Sequence, residues 1–407
     1  MKQIEGGITA AKGFEAAGVN AGIKYKNRND MAIIYSEKPC VTAGTFTSNI
    51  VKAAPVQYDK KLVDSGEKAH AIVINAGIAN ACTGSQGMEY CIETAKATAE
   101  NLNISEKSVL VASTGVIGMQ LPMDRIKIGI RQMVPALSST REAANKAAKA
   151  IMTTDTIEKE VAIKTVIGGK EVTIGGMCKG SGMIHPNMCT MLSFLTSDVN
   201  ISKELLQEAL LETVNDSYNM ISVDGDTSTN DTCVILANGL AENGLISDKG
   251  EDYEKFKDAL MEVNKTLAMK MAGDGEGATA LFEVVVKNAD SVDNAKVLAK
   301  SVVTSSLTKA AIYGHDANWG RILCALGYSG VNFDPEKVDL YFESANGKLQ
   351  IIENGVALDY SESEATEILS SNHVTAICDM HMGDYQATAW GCDLTYDYVK
   401  INADYRS

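Results

Sequence analysis

One stretch of the chain, residues 179–192, constrains the fold more than any other. It is a Gly-rich loop stiffened by Pro186, and it leads directly into an apolar segment, residues 191–195, with the letters MLSFL. A short apolar run bounded by turn residues is typical of a buried strand. The sequence therefore predicts a buried strand that begins immediately after the hydroxyl residue Thr190.

Thr190 is the first candidate for chemistry. A threonine in mid-chain has no nearby base and is a poor nucleophile. A threonine at a new N-terminus carries its own base, because an α-amino group has an ordinary pKa of about 7.7–8.0 and exchanges protons near neutral pH. The local pattern leaves two interpretations open: a chain that cuts itself between Cys189 and Thr190, or an ordinary Gly-rich loop before a strand.

Length and charge exclude several classes of protein. The chain has 407 residues and a formal net charge of −15, which argues against nucleic-acid binding because that function needs a basic surface. No apolar run approaches the ~20 residues of a membrane span, and the first residues lack a signal-peptide pattern. We therefore expect a cytoplasmic protein without membrane or nucleic-acid partners, long enough for two lobes.

The cysteines and histidines do not indicate a metal site. The nine cysteines are scattered without a C-x-x-C pair, and the five histidines do not share zinc-ligand spacing. We expect most of the cysteines to be buried as small apolar side chains in a reducing compartment. His185, five residues before Thr190, is a weaker catalytic candidate because the threonine amine already supplies a base.

Periodicity predicts a mixed α/β protein with antiparallel hairpins rather than regular β-α-β alternation. Gly168 and Gly169 separate two apolar runs and predict a hairpin. The predicted helices are 85–102, 122–135, 140–152, 201–217, 252–271 and 293–308. The predicted strands are 70–75, 109–113, 160–166, 170–174, 191–195, 232–237, 280–286, 349–353 and 373–378.

Four further segments each allow two interpretations. Residues 112–118, between an apolar strand and a helix, present backbone N–H groups to a ligand or developing anion, or are a strand-to-helix turn that needs glycine. Glu276, in a loop with three glycines, meets an ammonium group or is an exposed turn acid. Residues 224–231 begin like a calcium loop, but Ile235 stands where its glutamate belongs, so turn hydrogen bonds are the better interpretation. Residues 399–407 form a final strand with a tail, or an end that enters a site.

Many motifs, in the same order and nearly end to end, resemble those of the ornithine acetyltransferase (ArgJ) family of arginine biosynthesis. They are residues 10–24, 44–56, 80–84, 113–118, 152–156, 176–192, 223–232, 273–279, 318–321 and 399–407. The resemblance implies an α/β sandwich of the N-terminal-nucleophile type, in two lobes, made as a precursor that cuts itself before Thr190. The fragments would be 1–189 and 190–407, associated as a heterotetramer of two α and two β chains.

The resemblance also implies a reaction. The acetyl group of N2-acetylornithine passes to Thr190 and then to glutamate, giving ornithine and N-acetylglutamate. No cofactor is implied, and acetyl-CoA is at most a second acetyl donor. A threonine-nucleophile amidohydrolase or aminopeptidase, in which water takes the acyl group, remains the alternative.

Several site residues come from the resemblance. It gives Thr190 as nucleophile and Thr114 and Gly115 as the oxyanion pair. It gives as substrate contacts Thr153, Lys179, Thr190, Glu276, Asn402 and Ser407; Thr153 and Lys179 rest on the resemblance alone. The sequence departs from the family pattern at Cys189, where alanine is usual, at Ala280, where lysine is usual, and at Ala76 and Ile78, where serine and asparagine are usual.

Overall fold

The computed structural model describes residues 1–185 and 191–404. These residues form two compact units. Unit 1 comprises 1–180, 191–219 and 227–267, and unit 2 comprises 181–185, 220–226 and 268–404. Unit 1 thus contains residues from both sides of the predicted cut. The predicted fragments 1–189 and 190–407 therefore do not coincide with the two compact units. The cut that would produce them remains a prediction.

Both units combine helices with sheets, so the predicted mixed α/β class is confirmed. In the described residues the strands are β1 (Lys2–Ile4), β2 (Phe14–Val19), β3 (Met31–Phe46), β4 (Ala69–Ile78), β5 (Val109–Val116), β6 (Lys159–Ile167), β7 (Lys170–Lys179), β8 (Leu192–Ser197), β9 (Ile221–Ser222), β10 (Thr232–Ala237), β11 (Leu281–Ala289), β12 (Asp339–Ser344), β13 (Gly347–Glu353), β14 (Val356–Ala357), β15 (His373–Asp379) and β16 (Tyr385–Cys392). The α-helices are α1 (Ala54–Ser65), α2 (Gly84–Leu102), α3 (Met123–Met133), α4 (Arg141–Ala150), α5 (Lys203–Asn215), α6 (Glu251–Gly273), α7 (Val292–Thr304), α8 (Ser306–Tyr313), α9 (Trp319–Gly327), α10 (Glu362–Leu369) and α11 (Tyr396–Ala403).

The sheet of unit 1 has nine strands among the described residues. Eight follow the order β1-β6-β7-β8-β10-β3-β4-β5, and β2 also pairs with β3. The β8–β10 and β4–β5 pairs are parallel, and the other pairs are antiparallel. The predicted hairpin is present, because Gly168 and Gly169 connect β6 to β7 with positive φ angles of 55° and 74°.

Alternate side chains of the central strands enter two separate cores. Ile33, Val73 and Val111 pack with residues of α2 and α3. Ile34, Ile72 and Leu110 belong instead to the cluster that includes the alanines of α4. Because successive side chains of a strand point to opposite faces, helices cover both faces of this part of the sheet. The strand that follows Thr190 in sequence, β8, is buried along its whole length.

Unit 2 has its own sheet, with the order β14-β13-β12-β15-β11-β16-β9 among the described residues. The β11–β15 and β16–β9 pairs are parallel, and the other pairs are antiparallel. Helix α7 packs on β11 and β16, and α10 packs on β12 and β13. The 273–279 loop follows α6 and precedes β11, as predicted.

Two predicted elements need correction, and the longest described strand was not predicted. The single helix 293–308 is wrong, because Ser305 ends α7 and its side chain accepts the N–H of Thr308 to begin α8. A final strand over 399–407 is wrong where the structure describes it, because residues 396–403 form α11. The 16-residue strand β3 was missed, since exposed Glu37, Lys38 and Pro39 interrupt its apolar pattern where its pairing shifts register.

Six of the eight described cysteines are buried, which confirms the expectation of burial for them. The described histidine, cysteine and acidic side chains contain no group that could hold a metal ion. Among the helices of the described chain, none has the length and apolar character that crossing a membrane requires.

Candidate active site

The predicted oxyanion pair, Thr114 and Gly115, lies at the end of β5 in unit 1. Both residues belong to the strand, and a turn at Ile117 and Gly118 follows it before α3 begins at Met123. Gly115 has a φ of 130° and pairs with Gly77 of β4. A Cβ on Gly115 would lie 2.2 Å from the carbonyl carbon of Gly77. Glycine is therefore required here by both the backbone angle and the close approach of the two strands.

Hydrogen bonds hold the loop behind this pair in spite of the departures at Ala76 and Ile78. The Asn75 side chain donates to the carbonyl of Ile78 at 2.8 Å and accepts from Ser113 Oγ at 2.6 Å. Asn230 donates to the carbonyls of Ala79 and Ser113 at 2.6 and 2.8 Å. Asparagine side chains bonded to main-chain carbonyls thus order this loop.

Lys179, the last residue of β7, lies beside the oxyanion pair. Its Nζ donates to Thr114 Oγ1 at 3.4 Å and lies 4.0 Å from Asp155 Oδ2. A hydroxyl that accepts from an ammonium group keeps its own O–H to donate. The structure therefore brings together two residues that the sequence analysis named separately, and it leaves the Thr114 hydroxyl able to donate to an anion.

Asp155 is a site residue that the sequence analysis missed. Its side chain is completely buried, and Oδ1 accepts from Lys159 Nζ at 2.7 Å and from the Gly180 N–H at 2.7 Å. Oδ2 accepts from the Thr153 N–H at 3.0 Å. Burial acts to raise the pKa of Asp155, but the ammonium groups of Lys179 and Lys159 outweigh it and hold the pKa below its usual range. One carboxylate thus positions the predicted substrate contacts Thr153 and Lys179.

Thr153 itself is half-buried and fixed from a second direction. Arg28 donates from Nη1 to the Thr153 carbonyl at 3.1 Å and from Nη2 to the Met152 carbonyl. The Arg28 guanidinium also lies 4.0 Å from the centre of the Tyr25 ring. Hydrogen bonds from Arg28 and to Asp155 therefore hold the main chain at the predicted contact Thr153.

Glu276, in unit 2, is not an exposed turn acid. It is only 6% exposed, and its Oε2 accepts from Asn402 Nδ2 at 2.7 Å. Its backbone N–H donates to the Ser181 carbonyl at 2.9 Å. A Cβ on Gly182 would lie 2.4 Å from the Glu276 carboxyl carbon, so the main chain passes close to this carboxylate. The structure thus joins Glu276 and Asn402, both predicted substrate contacts, into one pair.

His185, also in unit 2, has its Nδ1 3.1 Å from Ser222 Oγ. Burial, with a smaller contribution from the nearby charge of Lys300, lowers the pKa of His185 to about 4, although Asp226 opposes the shift. The imidazole is therefore neutral near pH 7. A neutral ring accepts protons poorly at this pKa, which argues against His185 as a general base.

Three predicted residues, Cys189, Thr190 and Ser407, lie outside the described residues. The chain after Thr190 is well defined by its contacts in unit 1. The Met191 carbonyl accepts from the Thr232 N–H at 2.8 Å, and Leu192 pairs with Lys179 across β7 and β8. Thr190 is thus two residues in sequence from the strand partner of Lys179.

Comparison with known proteins gives the family. The ArgJ family matches residues 15–407. Arginine biosynthesis bifunctional protein ArgJ 1 of Clostridium acetobutylicum is 54% identical over 400 residues, covering 98% of this chain and 97% of that protein. The ArgJ protein of Caldanaerobacter subterraneus is 52% identical over 407 residues, covering 100% of both chains. The crystal structure of ArgJ from Bacillus halodurans is 45% identical and covers 52% of this chain and 97% of that one, with a TM-score of 0.49. The chain belongs to the ArgJ family.

Proposed function

We propose that this protein transfers the acetyl group of N2-acetylornithine to glutamate, releasing ornithine and forming N-acetylglutamate for arginine biosynthesis. The observation that carries the proposal is the near full-length identity with proteins named for a bifunctional role in that pathway. The contact between Lys179 and Thr114 supports it, because it places a cation and a hydroxyl donor together at the end of a strand. Hydrogen-bond donors and cations of this kind stabilise the negative charge that develops on the carbonyl oxygen during acyl transfer.

The protein first cuts itself. Thr190 Oγ attacks the Cys189 carbonyl carbon, and the peptide C–N bond breaks as an ester forms. Water then hydrolyses the ester, leaving Cys189 with a carboxylate and Thr190 with a free amine. Thr114 and Gly115 stabilise the oxyanion of the tetrahedral intermediate. Because β8 and β10 from 190–407 pair with β7 and β3 from 1–189, the fragments remain associated after the cut.

In turnover, Thr190 Oγ attacks the acetyl carbonyl of N2-acetylornithine, and its α-amine carries the proton to the departing ornithine amine. The acetyl-Thr190 ester is then attacked by the glutamate amine. Each oxyanion donor is worth roughly 10²–10³ in rate. No cofactor takes part, and acetyl-CoA is a second acetyl donor for the same threonine.

Charge in unit 1 selects the substrate's carboxylate. Lys159 neutralises Asp155 through a short, buried ion pair. The cluster of Asp155, Lys159 and Lys179 then keeps one net positive charge, which Lys179 directs to a substrate carboxylate, with Thr153 beside it. A buried cation needs such a partner, so an anionic substrate is favoured.

In unit 2 the charge is that of the Glu276 carboxylate, and the substrate group is an ammonium. Glu276 is oriented by Asn402 and binds a substrate ammonium group, and Ser407 adds a further substrate contact. The working particle is a heterotetramer of two α and two β chains in the cytoplasm.

The test begins with intact mass and N-terminal sequencing of the purified protein. We expect two fragments, one of which begins Thr-Met-Leu-Ser-Phe, while Thr190→Ala gives one uncut chain. Cleaved enzyme should then give parallel double-reciprocal lines with N-acetylornithine and glutamate, as a ping-pong reaction requires. Release of free acetate at a rate independent of glutamate would favour the amidohydrolase alternative. Cleavage of the Thr190→Ala chain at the same bond would exclude Thr190 as the nucleophile.

A further inference from the structure

The approach segment, residues 181–185, leads toward the bond that the protein is proposed to cut, and one carboxylate holds it. We propose that Asp224 is a positioning residue for self-cleavage, which fixes a left-handed turn at Met183 and so aims the following chain for attack by Thr190. This inference rests on the proposed self-cleavage before Thr190. It gives a role to the 224–231 loop, whose calcium-like beginning the sequence analysis left without a function.

Asp224 accepts two successive N–H groups of the approach segment. Its Oδ2 accepts from the Met183 N–H at 2.6 Å, and its Oδ1 accepts from the Ile184 N–H at 2.9 Å. The Ile184 carbonyl in turn accepts from the Val223 N–H at 2.7 Å. Oδ1 also accepts from the Asp226 N–H at 3.2 Å, which fixes the carboxylate on its own loop. The two segments are therefore joined by charge-assisted bonds at consecutive residues.

The turn that Asp224 holds is an unfavourable one for the residue in it. Met183 has a φ of 55°, in the left-handed region that residues with a side chain rarely adopt. Its side chain is 43% exposed, so packing does little to hold this angle. The hydrogen bonds to Asp224 are therefore the feature that stabilises the turn.

The rest of the approach segment is also fixed within unit 2. Ser181 Oγ donates to the Asp274 carbonyl at 2.7 Å, and the Ser181 carbonyl accepts from the Glu276 N–H. His185 ends the segment beside Ser222, a residue of β9 that pairs with Gly391 of β16. The approach segment is thus held at both ends and turned in its middle. An N-to-O acyl shift depends on how the reacting groups are placed, since a misplacement of about 1 Å costs roughly 10²-fold in rate.

The experiment measures the rate of cleavage of full-length chains by denaturing gel and intact mass. In Asp224→Asn an amide NH₂ group replaces one of the two carboxylate oxygens. It faces a main-chain N–H group and cannot accept its hydrogen bond, so the turn at Met183 loses that bond. We expect cleavage to slow at least tenfold, with a smaller loss in acetyl transfer per cleaved chain. Asp226→Asn is the matched control, because it removes the same charge from an exposed position of the same loop; it should cleave within twofold of the unchanged protein.

Met183 supplies an independent test that leaves Asp224 intact. Glycine adopts the left-handed region freely, whereas isoleucine resists it. Adding Met183→Gly to Asp224→Asn should therefore make cleavage at least threefold faster than in Asp224→Asn alone. In the otherwise unchanged chain, Met183→Ile should cleave more slowly than Met183→Gly, and this comparison decides the matter if Asp224→Asn fails to fold.

The outcomes separate this inference from the proposed function. An unchanged protein that is never cut before Thr190 contradicts the proposed self-cleavage, and the role of Asp224 falls with it. An unchanged protein that is cut, together with an Asp224→Asn chain cut equally fast, overturns the role of Asp224 alone. Equal rates for Met183→Gly and Met183→Ile, or a folded Asp224→Asn chain that Met183→Gly does not rescue, also overturn it.

Discussion

Lys159 Nζ lies 2.7 Å from Asp155 Oδ1, and both side chains are completely buried. Two charges taken from water remain stable only when each satisfies the other and the remaining lone pairs are used. Asp155 meets this condition by also accepting the N–H groups of Thr153 and Gly180. The ion pair thus helps to hold the predicted substrate contacts of unit 1, Thr153 and Lys179, in place.

Removing one partner of this pair should cost more than removing both. Asp155→Asn leaves the Lys159 charge without a buried anion, so we expect the free energy of unfolding to fall by about 3–5 kcal/mol. Adding Lys159→Met should recover part of this loss. Denaturant midpoints in the uncut Thr190→Ala chain measure both changes. A double variant no more stable than Asp155→Asn alone would contradict the pairing.

The same variants separate stability from substrate binding. In the double variant Asp155→Asn/Lys159→Met, Lys179 loses the carboxylate that positions it. We therefore expect KM for a substrate carrying a carboxylate to rise at least tenfold even where stability is largely restored. Steady-state kinetics of the cleaved double variant test this, and an unchanged KM would remove Asp155 from substrate positioning.

Alanine substitutions at Gly115 and Gly118 give a matched comparison that tests the oxyanion role of Gly115. Both have positive φ angles, of 130° and 84°. A Cβ on Gly115 meets the Gly77 backbone, whereas a Cβ on Gly118 has nothing within 4 Å. Gly115→Ala should therefore slow cleavage and acetyl transfer by about 10² or more, as loss of one oxyanion donor does. Gly118→Ala should cost only about 1 kcal/mol of stability. Equal effects of the two substitutions on cleavage would argue against an oxyanion role for Gly115.

Glu276→Gln tests whether this buried acid binds an ammonium group. The substitution keeps the shape of the side chain but removes its charge, which should weaken a charge-assisted hydrogen bond by about 1.5–3 kcal/mol. We expect the unchanged enzyme to prefer N-acetylornithine over N-acetylnorvaline, which lacks the side-chain amine, and Glu276→Gln to lose most of that preference. The ratio of kcat/KM values for the two donors is the measurement. A preference that survives the substitution would assign the amine to another residue.

Asp59 makes the stability of unit 1 depend on pH. Its buried carboxyl accepts the Val111 N–H at 2.9 Å, and burial raises the pKa of Asp59 well above its usual value although that hydrogen bond opposes the shift. The folded chain then binds more protons than the unfolded chain above about pH 4, so this group costs stability as pH rises. Asp59→Asn, which still accepts from Val111, should be relatively more stable at pH 8 than at pH 5. Denaturant midpoints at the two pH values measure this, and a difference of the opposite sign would contradict a raised pKa.

The sequence predicts those parts of the fold whose signal is local. The strand after Thr190 and the β6–β7 hairpin follow from short apolar runs and a Gly-Gly turn. Strand β3 does not, because Glu37, Lys38 and Pro39 interrupt its apolar pattern, while its two halves pair with different strands far away in sequence. Strand pairing over such distances leaves no periodic mark in the chain.

The candidate site likewise contains some residues that the sequence predicts and others that it does not. The loop of Glu276 is visible in sequence, but its hydrogen-bond partner Asn402 is 126 residues away. Asp155 carries no periodic signal at all, since its partners Lys159 and Lys179 belong to two different strands. Sequence motifs therefore identify the residues that act on a substrate more readily than the residues that hold those in place.

The position of β8 in the sheet has a consequence for the cut protein. Within one protomer an uncut chain folds as a single molecule, so its sheet forms without a second chain. After cleavage before Thr190 the unfolded state consists of two separate chains, while the folded sheet still contains strands of both. Unfolding then becomes a dissociation, and each tenfold dilution lowers its free energy by about 1.4 kcal/mol. Refolding of a cut protein would then require the two chains to meet, whereas the uncut chain brings β7 and β8 together within one molecule.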